Sequence, residues 1–162
     1  MRTVLAAALI LALGTPLAAR AAGTPGGDIT QMVSAYQGVH AVRVVERFEN
    51  GAVATVDVMP AGQFRIAETG GQDPALIVKV ATQPADGAEA TGNYSIKQIG
   101  KKTIEGIDAT GYQVAAPDGT YTETIWVGNK QRLPIQAHVE TQGHSIDVTY
   151  GDYNDTALVA RP

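Results

Sequence analysis

Residues 135–150 read IQAHVETQGHSIDVTY, and their spacing decides the fold. With Gln142-Gly143 as a two-residue turn, Thr141 lies opposite His144, Val139 opposite Ile146, Ala137 opposite Val148 and Ile135 opposite Tyr150. The other face pairs Glu140 with Ser145, His138 with Asp147 and Gln136 with Thr149. One face is almost wholly apolar and the other polar, so a slip of one residue would expose Ile135, Val139, Ile146 and Val148 together. The stretch reads as an antiparallel hairpin with one wet face and one buried face.

The same period of two runs through most of the chain. Strands are expected at 94–99, around 102–104, and at 109–115 and 121–127, separated by Gly100, Gly106, Gly111 and the Pro117-Asp118-Gly119 turn. Nearer the start, Val42, Val44, Glu46 and Phe48 alternate with Arg43, Val45 and Arg47, and Asn50-Gly51 is a strong hairpin signal. The return strand is 52–59 (AVATVDVM), and Pro60-Ala61-Gly62 turns it into 63–67 (QFRIA). Gly70-Gly71 and Asp73-Pro74 interrupt the chain before 76–81 (LIVKVA), which reads as a further strand, and 83–92 (QPADGAEATG) reads as a polar loop. Strands recurring at this spacing, with turns between them, indicate an antiparallel sheet.

One segment has the helical period instead. Ile29, Met32, Val33 and Tyr36 fall at i, i+3, i+4 and i+7. Asp28 and Gln31 form a capping-box pattern and Gly38 is a natural stop. The fold class is therefore α+β, mainly β: a curved antiparallel sheet with one N-terminal helix packed on its apolar, concave face.

Residues 1–21 read as a secretion leader, with Arg2, the apolar run 4–13 (VLAAALILAL), the breakers Gly14 and Pro16, and Ala19-Arg20-Ala21 as the cleavage signal. The run is about half of the roughly 20 apolar residues that span a bilayer, so no transmembrane segment is expected. Residues 22–27 read as a flexible leader and 28–162 as one domain. The 162 residues carry 12 Lys+Arg and 16 Asp+Glu, a net charge of −4. Losing Arg2 and Arg20 leaves ten basic residues against sixteen acidic, or −6. An acidic chain argues against a nucleic-acid partner. The absence of cysteine excludes disulfides, thiolate metal sites, a cysteine nucleophile and a cysteine-linked lipid, and it suits an oxidising compartment.

No catalytic signature stands out. His138, Glu140, His144, Asp147, Asp152 and Asp155 lie close in sequence, but the hairpin register separates His144 from His138 and Asp147. A cross-strand ion pair is expected there rather than a metal site. Ser34, Ser95 and Ser145 lack a nucleophile-elbow context, and Gly70-Gly71 lacks the lysine and the strand–loop–helix setting of a phosphate cradle. No cofactor is expected. What remains is apolar surface: Ile125, Val127, Ile135, Val139, Ile146 and Val148 face inward, with Met32 and Tyr36 above them. They form either a filled core or the lining of a hydrophobic hollow.

The order of elements resembles the LolA-like superfamily, which includes periplasmic outer-membrane lipoprotein carriers and related lipid-binding lipoproteins. The resemblance rests on the helix ending near Tyr36 followed by AVRVVERFENGAVATVDV and QFRIAE, and on 102–114 (KTIEGIDATGYQV). It extends to 124–139 (TIWVGNKQRLPIQAHV), with Trp126 and Leu133-Pro134, and to 144–154 (HSIDVTYGDYN). It implies a half-barrel that holds acyl chains or another hydrophobic ligand, including those of a lipoprotein, without catalysis or cofactor. Carriers of this type have additional lid helices in mid-chain, where 70–92 shows no amphipathic helix, so a smaller lid is expected. The superfamily's arginine in the hollow would correspond to Arg43 or Arg47. The alternatives are an envelope protein-interaction or stress-sensing module without lipid, and a hydrolase built on the same scaffold.

Overall fold

The computed structural model describes residues 23–59, 63–85, 93–141 and 143–159. The expected leader at 1–21, the turn at 60–62, residues 86–92 of the polar loop and Gln142 of the final turn lie outside the described residues. The elements are α1 (Pro25–Gln37), β1 (Val42–Phe48), β2 (Val53–Val58), β3 (Phe64–Glu68), α2 (Pro74–Thr82), β4 (Ser95–Ile104), β5 (Ile107–Ala115), β6 (Tyr121–Gly128), β7 (Pro134–Thr141), β8 (His144–Gly151) and α3 (Thr156–Val159).

The eight strands form one antiparallel sheet in the order β3-β2-β1-β8-β7-β6-β5-β4. Consecutive strands pair except β3 and β4, which are left as the two edges, and β8 pairs back onto β1. The sheet is thus a curved meander, open between β3 and β4, and the link across that opening carries α2. Helix α2 packs against β1, β2 and β3, while α1 lies against β4. One core joins both helices to the concave face: Ile29, Met32 and Tyr36 from α1, and Leu76, Ile77, Val80 and Ala81 from α2, meet the inward residues of the sheet.

The final hairpin has the expected register from Gln136↔Thr149 to Thr141↔His144. Its open end differs. The β6–β7 ladder shifts between Trp126 and Val127, so that Val127 pairs with Pro134 and Trp126 with Gln136. Ile135 is the extra residue of this bulge. Pro134 has no N–H to continue the ladder, and a bulge is where a sheet tolerates it. Ile135 therefore turns away from the concave face and packs with Ile104 and Ala109, beside Ile107 and Trp126.

Three other expectations are corrected. Residues 76–81 are helical, not a strand: Asp73 caps α2 by accepting from the Ala75 N–H at 2.9 Å, and Pro74 sits in the first turn, where its missing N–H costs nothing. The strands expected at 94–99 and 102–104 are one strand, β4, because Ile99 bulges out between the Gln98↔Tyr112 and Gly100↔Gly111 pairs. Helix α1 starts before Asp28, and part of the expected flexible leader is helical. Thr24 is its cap, accepting from the Gly27 N–H, and Pro25 opens the first turn.

The outer face holds a buried charge. Asp57 of β2 lies between its cross-strand partners Arg43 and Arg65, with its side chain fully buried. Arg43 donates to it through Nε (2.8 Å) and a guanidinium N–H (3.1 Å), and Arg65 through another N–H (2.6 Å). Arg65 also donates to the Leu158 carbonyl, which ties α3 to this clamp. Burial pushes the Asp57 carboxyl up, but the hydrogen bonds and charges of Arg43 and Arg65 outweigh burial and hold it below the usual carboxylate range.

Candidate ligand-binding site

The concave face is built by strand alternation. On β6, Tyr121, Glu123, Ile125 and Val127 point inward; on β7, Ala137 and Val139; on β8, Ile146, Val148 and Tyr150; on β1, Val42, Val44, Glu46 and Phe48. Of the residues expected to line the hollow, Met32, Tyr36, Ile125, Val127, Val139, Ile146 and Val148 come together in the main core, and Ile135 does not. Neither candidate arginine enters it. Arg43 and Arg47 alternate with the buried residues of β1; Arg43 is held by Asp57 and Arg47 is exposed.

The roof consists of two helices held to each other and to the floor near the C-terminal end of α2. The Tyr36 hydroxyl donates to the Ala81 carbonyl at 2.6 Å. Past the end of the helix, the Ala85 N–H donates to the Glu123 carboxylate at 2.6 Å, and the Tyr121 hydroxyl donates to the same oxygen. At the start of α1, Tyr112 donates to Asp28 at 2.8 Å, and Arg132 lies 3.6 Å from the other Asp28 oxygen. At the other end of α2, the chain enters through Gly70 and Gly71, both with positive φ. A Cβ on Gly70 would stand 2.4 Å from the Val53 carbonyl oxygen, so only glycine fits this turn.

In this arrangement the hollow is filled by the roof's own side chains. The space where Lys79, Val80 and Gln83 of the α2 segment meet Tyr121, Glu123, Val139 and Thr141 amounts to about 10 Å³, room for one water at most. The interior is not purely apolar, however. Glu46 is 0 % exposed, and both of its carboxyl oxygens lack a hydrogen-bond partner among the described residues, as does the Tyr150 hydroxyl. Burial pushes the Glu46 carboxyl up to about 8. Burial, then the Glu46 charge, pushes Tyr36 far above the usual tyrosine range. Glu46 and Glu123 stand at inward positions of alternating strands, and a charged residue in that register was the available signal for both.

A second polar group lies on the outer face. His138 Nδ1 is 2.7 Å from Asp147 Oδ1, Ser145 Oγ is 3.4 Å from His138 Nε2, and Glu140 is 3.8 Å from that same nitrogen. The order Ser–His–Asp is that of a proton relay. Here Glu140 competes for the nitrogen that would take the serine proton, and the side chains of His138 and Asp147 are 44 % and 74 % exposed. In water such a cluster contributes little beyond a cross-strand contact. We expect the double variant His138→Ala/Asp147→Ala to lose less than about 1 kcal/mol of stability in chemical denaturation; a larger loss would make this cluster a structural element. Among the described residues, no three His, Asp or Glu side chains converge to hold a metal ion, and no helix is long and apolar enough to cross a membrane.

No protein-family model matches the sequence, and no curated protein matches it either. Solved structures do. The Mycobacterium tuberculosis lipoprotein LppX aligns over 80 % of this chain and 94 % of its own, with 15 % identity and a TM-score of 0.55. LprF from Mycobacterium bovis aligns over 81 % and 93 %, with 10 % identity and a TM-score of 0.51. The fold is LolA-like. A LolA superfamily protein from Nitrosomonas europaea, NE2245, is 12 % identical over 80 % of this chain and 92 % of its own, at a TM-score of 0.41. In this LolA-like half-barrel, α1 and α2 occupy the concave side.

Proposed function

We propose that this protein is an exported, periplasmic, non-catalytic binding protein for an acyl chain or similar apolar ligand, carried as a lipid or as the lipid part of a lipoprotein. The observation that carries the reading is the LolA-like half-barrel whose apolar concave face is roofed by a short helix mounted on a Gly-Gly turn. The apolar leader at 1–21 and the cysteine-free composition support export.

The filled interior sets the energetic terms. A ligand has to take the place of Leu76, Ile77 and Val80. Exposing three such side chains costs roughly 5–9 kcal/mol, at about 1.5–3 kcal/mol each. An acyl chain returns about 0.8 kcal/mol per buried methylene, so roughly six to eleven methylenes only offset the displacement. Affinity should therefore show a length threshold. Titration with saturated fatty acids should detect no binding of hexanoic acid and clear binding of hexadecanoic acid. A protein that takes up neither chain, and carries no lipid when purified and extracted, would sink this reading.

The packed interior is also the observation that favours a second reading, an envelope protein-interaction module with no lipid. Its available surface is the exposed ten-residue edge strand β4, with Lys97, Lys101 and Lys102. Salt-sensitive capture of a protein partner, together with indifference to every chain length, would select it.

A further inference from the structure

The half-barrel interior buries a carboxyl group that nothing among the described residues satisfies. Glu46 has two partnerless oxygens, and the partnerless Tyr150 hydroxyl belongs to the next strand. An unsatisfied buried polar group costs about 1–3 kcal/mol, so a core that served only for packing would gain by replacing these side chains with apolar ones. Their placement is specific. Glu46 pairs with Val148 and Tyr150 pairs with Val44, so the two are diagonal neighbours on the concave face of adjacent strands, within reach of each other's side chains. Tyr36 of the roof packs edge-on against Tyr150, with ring centres 5.8 Å apart. The three groups thus meet where α1 covers the floor, beside the α2 residue Ala81 that Tyr36 holds.

The charge surroundings decide which ligand chemistry fits. The ionisable groups that act on this cluster are Tyr36 from α1, Glu123 from β6, and Tyr150 and Tyr153 from β8 and the segment after it; none is basic. The fully buried charged residues among those described are Glu46 and Glu123 on the concave face and Asp57 on the outer face; the half-buried Lys79 of α2 lies beside Glu123 and is not among the groups that act on Glu46, Tyr36 or Tyr150. With burial pushing it up to about 8, Glu46 carries its proton at neutral pH. A neutral carboxyl and a phenol both offer O–H donors, and two donors side by side complement a carbonyl oxygen. An alkylammonium head would require Glu46 to ionise inside an apolar core, at a large desolvation cost.

We propose that Glu46 and Tyr150 form the polar end of the hydrophobic site and donate hydrogen bonds to the carbonyl oxygen of an acyl ester or acid whose chain occupies the space now filled by α2. This rests on the binding reading above and adds to it the end of the ligand that the site recognises. Tyr36 already spends its hydroxyl proton on Ala81 and acts as a latch rather than as part of this pair.

The test is competition by methyl hexadecanoate, hexadecane and hexadecylamine against a bound fluorescent apolar probe, on the full chain, at pH 7 and pH 9. The wild type should prefer the ester over the alkane by about tenfold or more, from two hydrogen bonds of modest net strength each. Glu46→Leu and Tyr150→Phe should each reduce that preference severalfold. Ester binding to the wild type should weaken at pH 9. Glu46→Gln, whose amide still donates, should keep the preference within a few-fold but lose its pH dependence. An ester preference that is absent, or the same in all variants, would overturn the proposal while leaving the binding reading intact, and so would tightest binding of the amine. Failure of the protein to take up any of the three, hexadecane included, would overturn both.

Discussion

Glu46→Leu should be more stable than the wild type at pH 9 by roughly 3–5 kcal/mol, and the difference should shrink steadily as the pH falls to about 5. The sign follows from proton counts. The carboxyl has its ordinary value of 4.5 in the unfolded chain and is pushed up to about 8 in the fold by burial. Between those values the folded state holds a proton that the unfolded chain has released, so wild-type stability falls as the pH rises and levels off above about 8. Leucine fills a similar volume in a wall of valines, alanine and tyrosine and carries no proton. Urea denaturation of both proteins across this pH range checks the prediction; a stability difference that does not change with pH would contradict it. In the proposed complex, the ligand carbonyl would offset part of the stability that Glu46 gives up, which links this prediction to the ligand.

Asp57→Ala should have the opposite effect and cost about 2–4 kcal/mol, because removing one member of a buried ion pair leaves its partners without compensation. The figure is set about 1 kcal/mol below the usual range of about 3–5 kcal/mol because the side chains of Arg43 and Arg65 are each about a quarter exposed and can rehydrate. The loss should spread to α3, since Arg65 links Asp57 to the Leu158 carbonyl. The pH signature differs from that of Glu46. Asp57 is held below the usual carboxylate range, so its stabilisation is complete above the unfolded value of 3.8 and is lost as the pH falls further. Denaturation of Asp57→Ala at pH 7 and pH 3 should show the gap to wild type narrowing at the lower pH. An unchanged gap would mean that the clamp stabilises by packing alone.

How much of this was legible in the sequence depended on where one physical signal had no rival. The register from Gln136 to Thr149 follows from alternation, because only one pairing keeps Val139, Ile146 and Val148 out of water. The same logic failed at Ile135, where Pro134 breaks the ladder and the bulge reverses the side chain. The run at 76–81 is short and rich in branched apolar residues, and at that length a buried strand and a buried helix read alike. Asp73-Pro74 was the arbiter, as a cap followed by a first-turn proline, yet it also reads as a chain break. That ambiguity concealed α2, and with it the second half of the roof. Glu46 was visible at an inward position of β1, but its isolation was not. Whether a carboxyl on the apolar face finds a partner depends on strands and helices distant in sequence, and here Tyr36, Tyr150 and Val148 surround it without bonding it.

Hydrogen exchange of the α2 amides, with and without saturating hexadecanoic acid, tests the account most directly. If the ligand takes the place of Leu76, Ile77 and Val80 on the concave face, the amides of α2 should lose protection on binding while those of β6, β7 and β8 keep or gain it. Binding that leaves α2 fully protected, or no binding at all, would contradict the claim that this half-barrel opens its roof to hold an acyl chain.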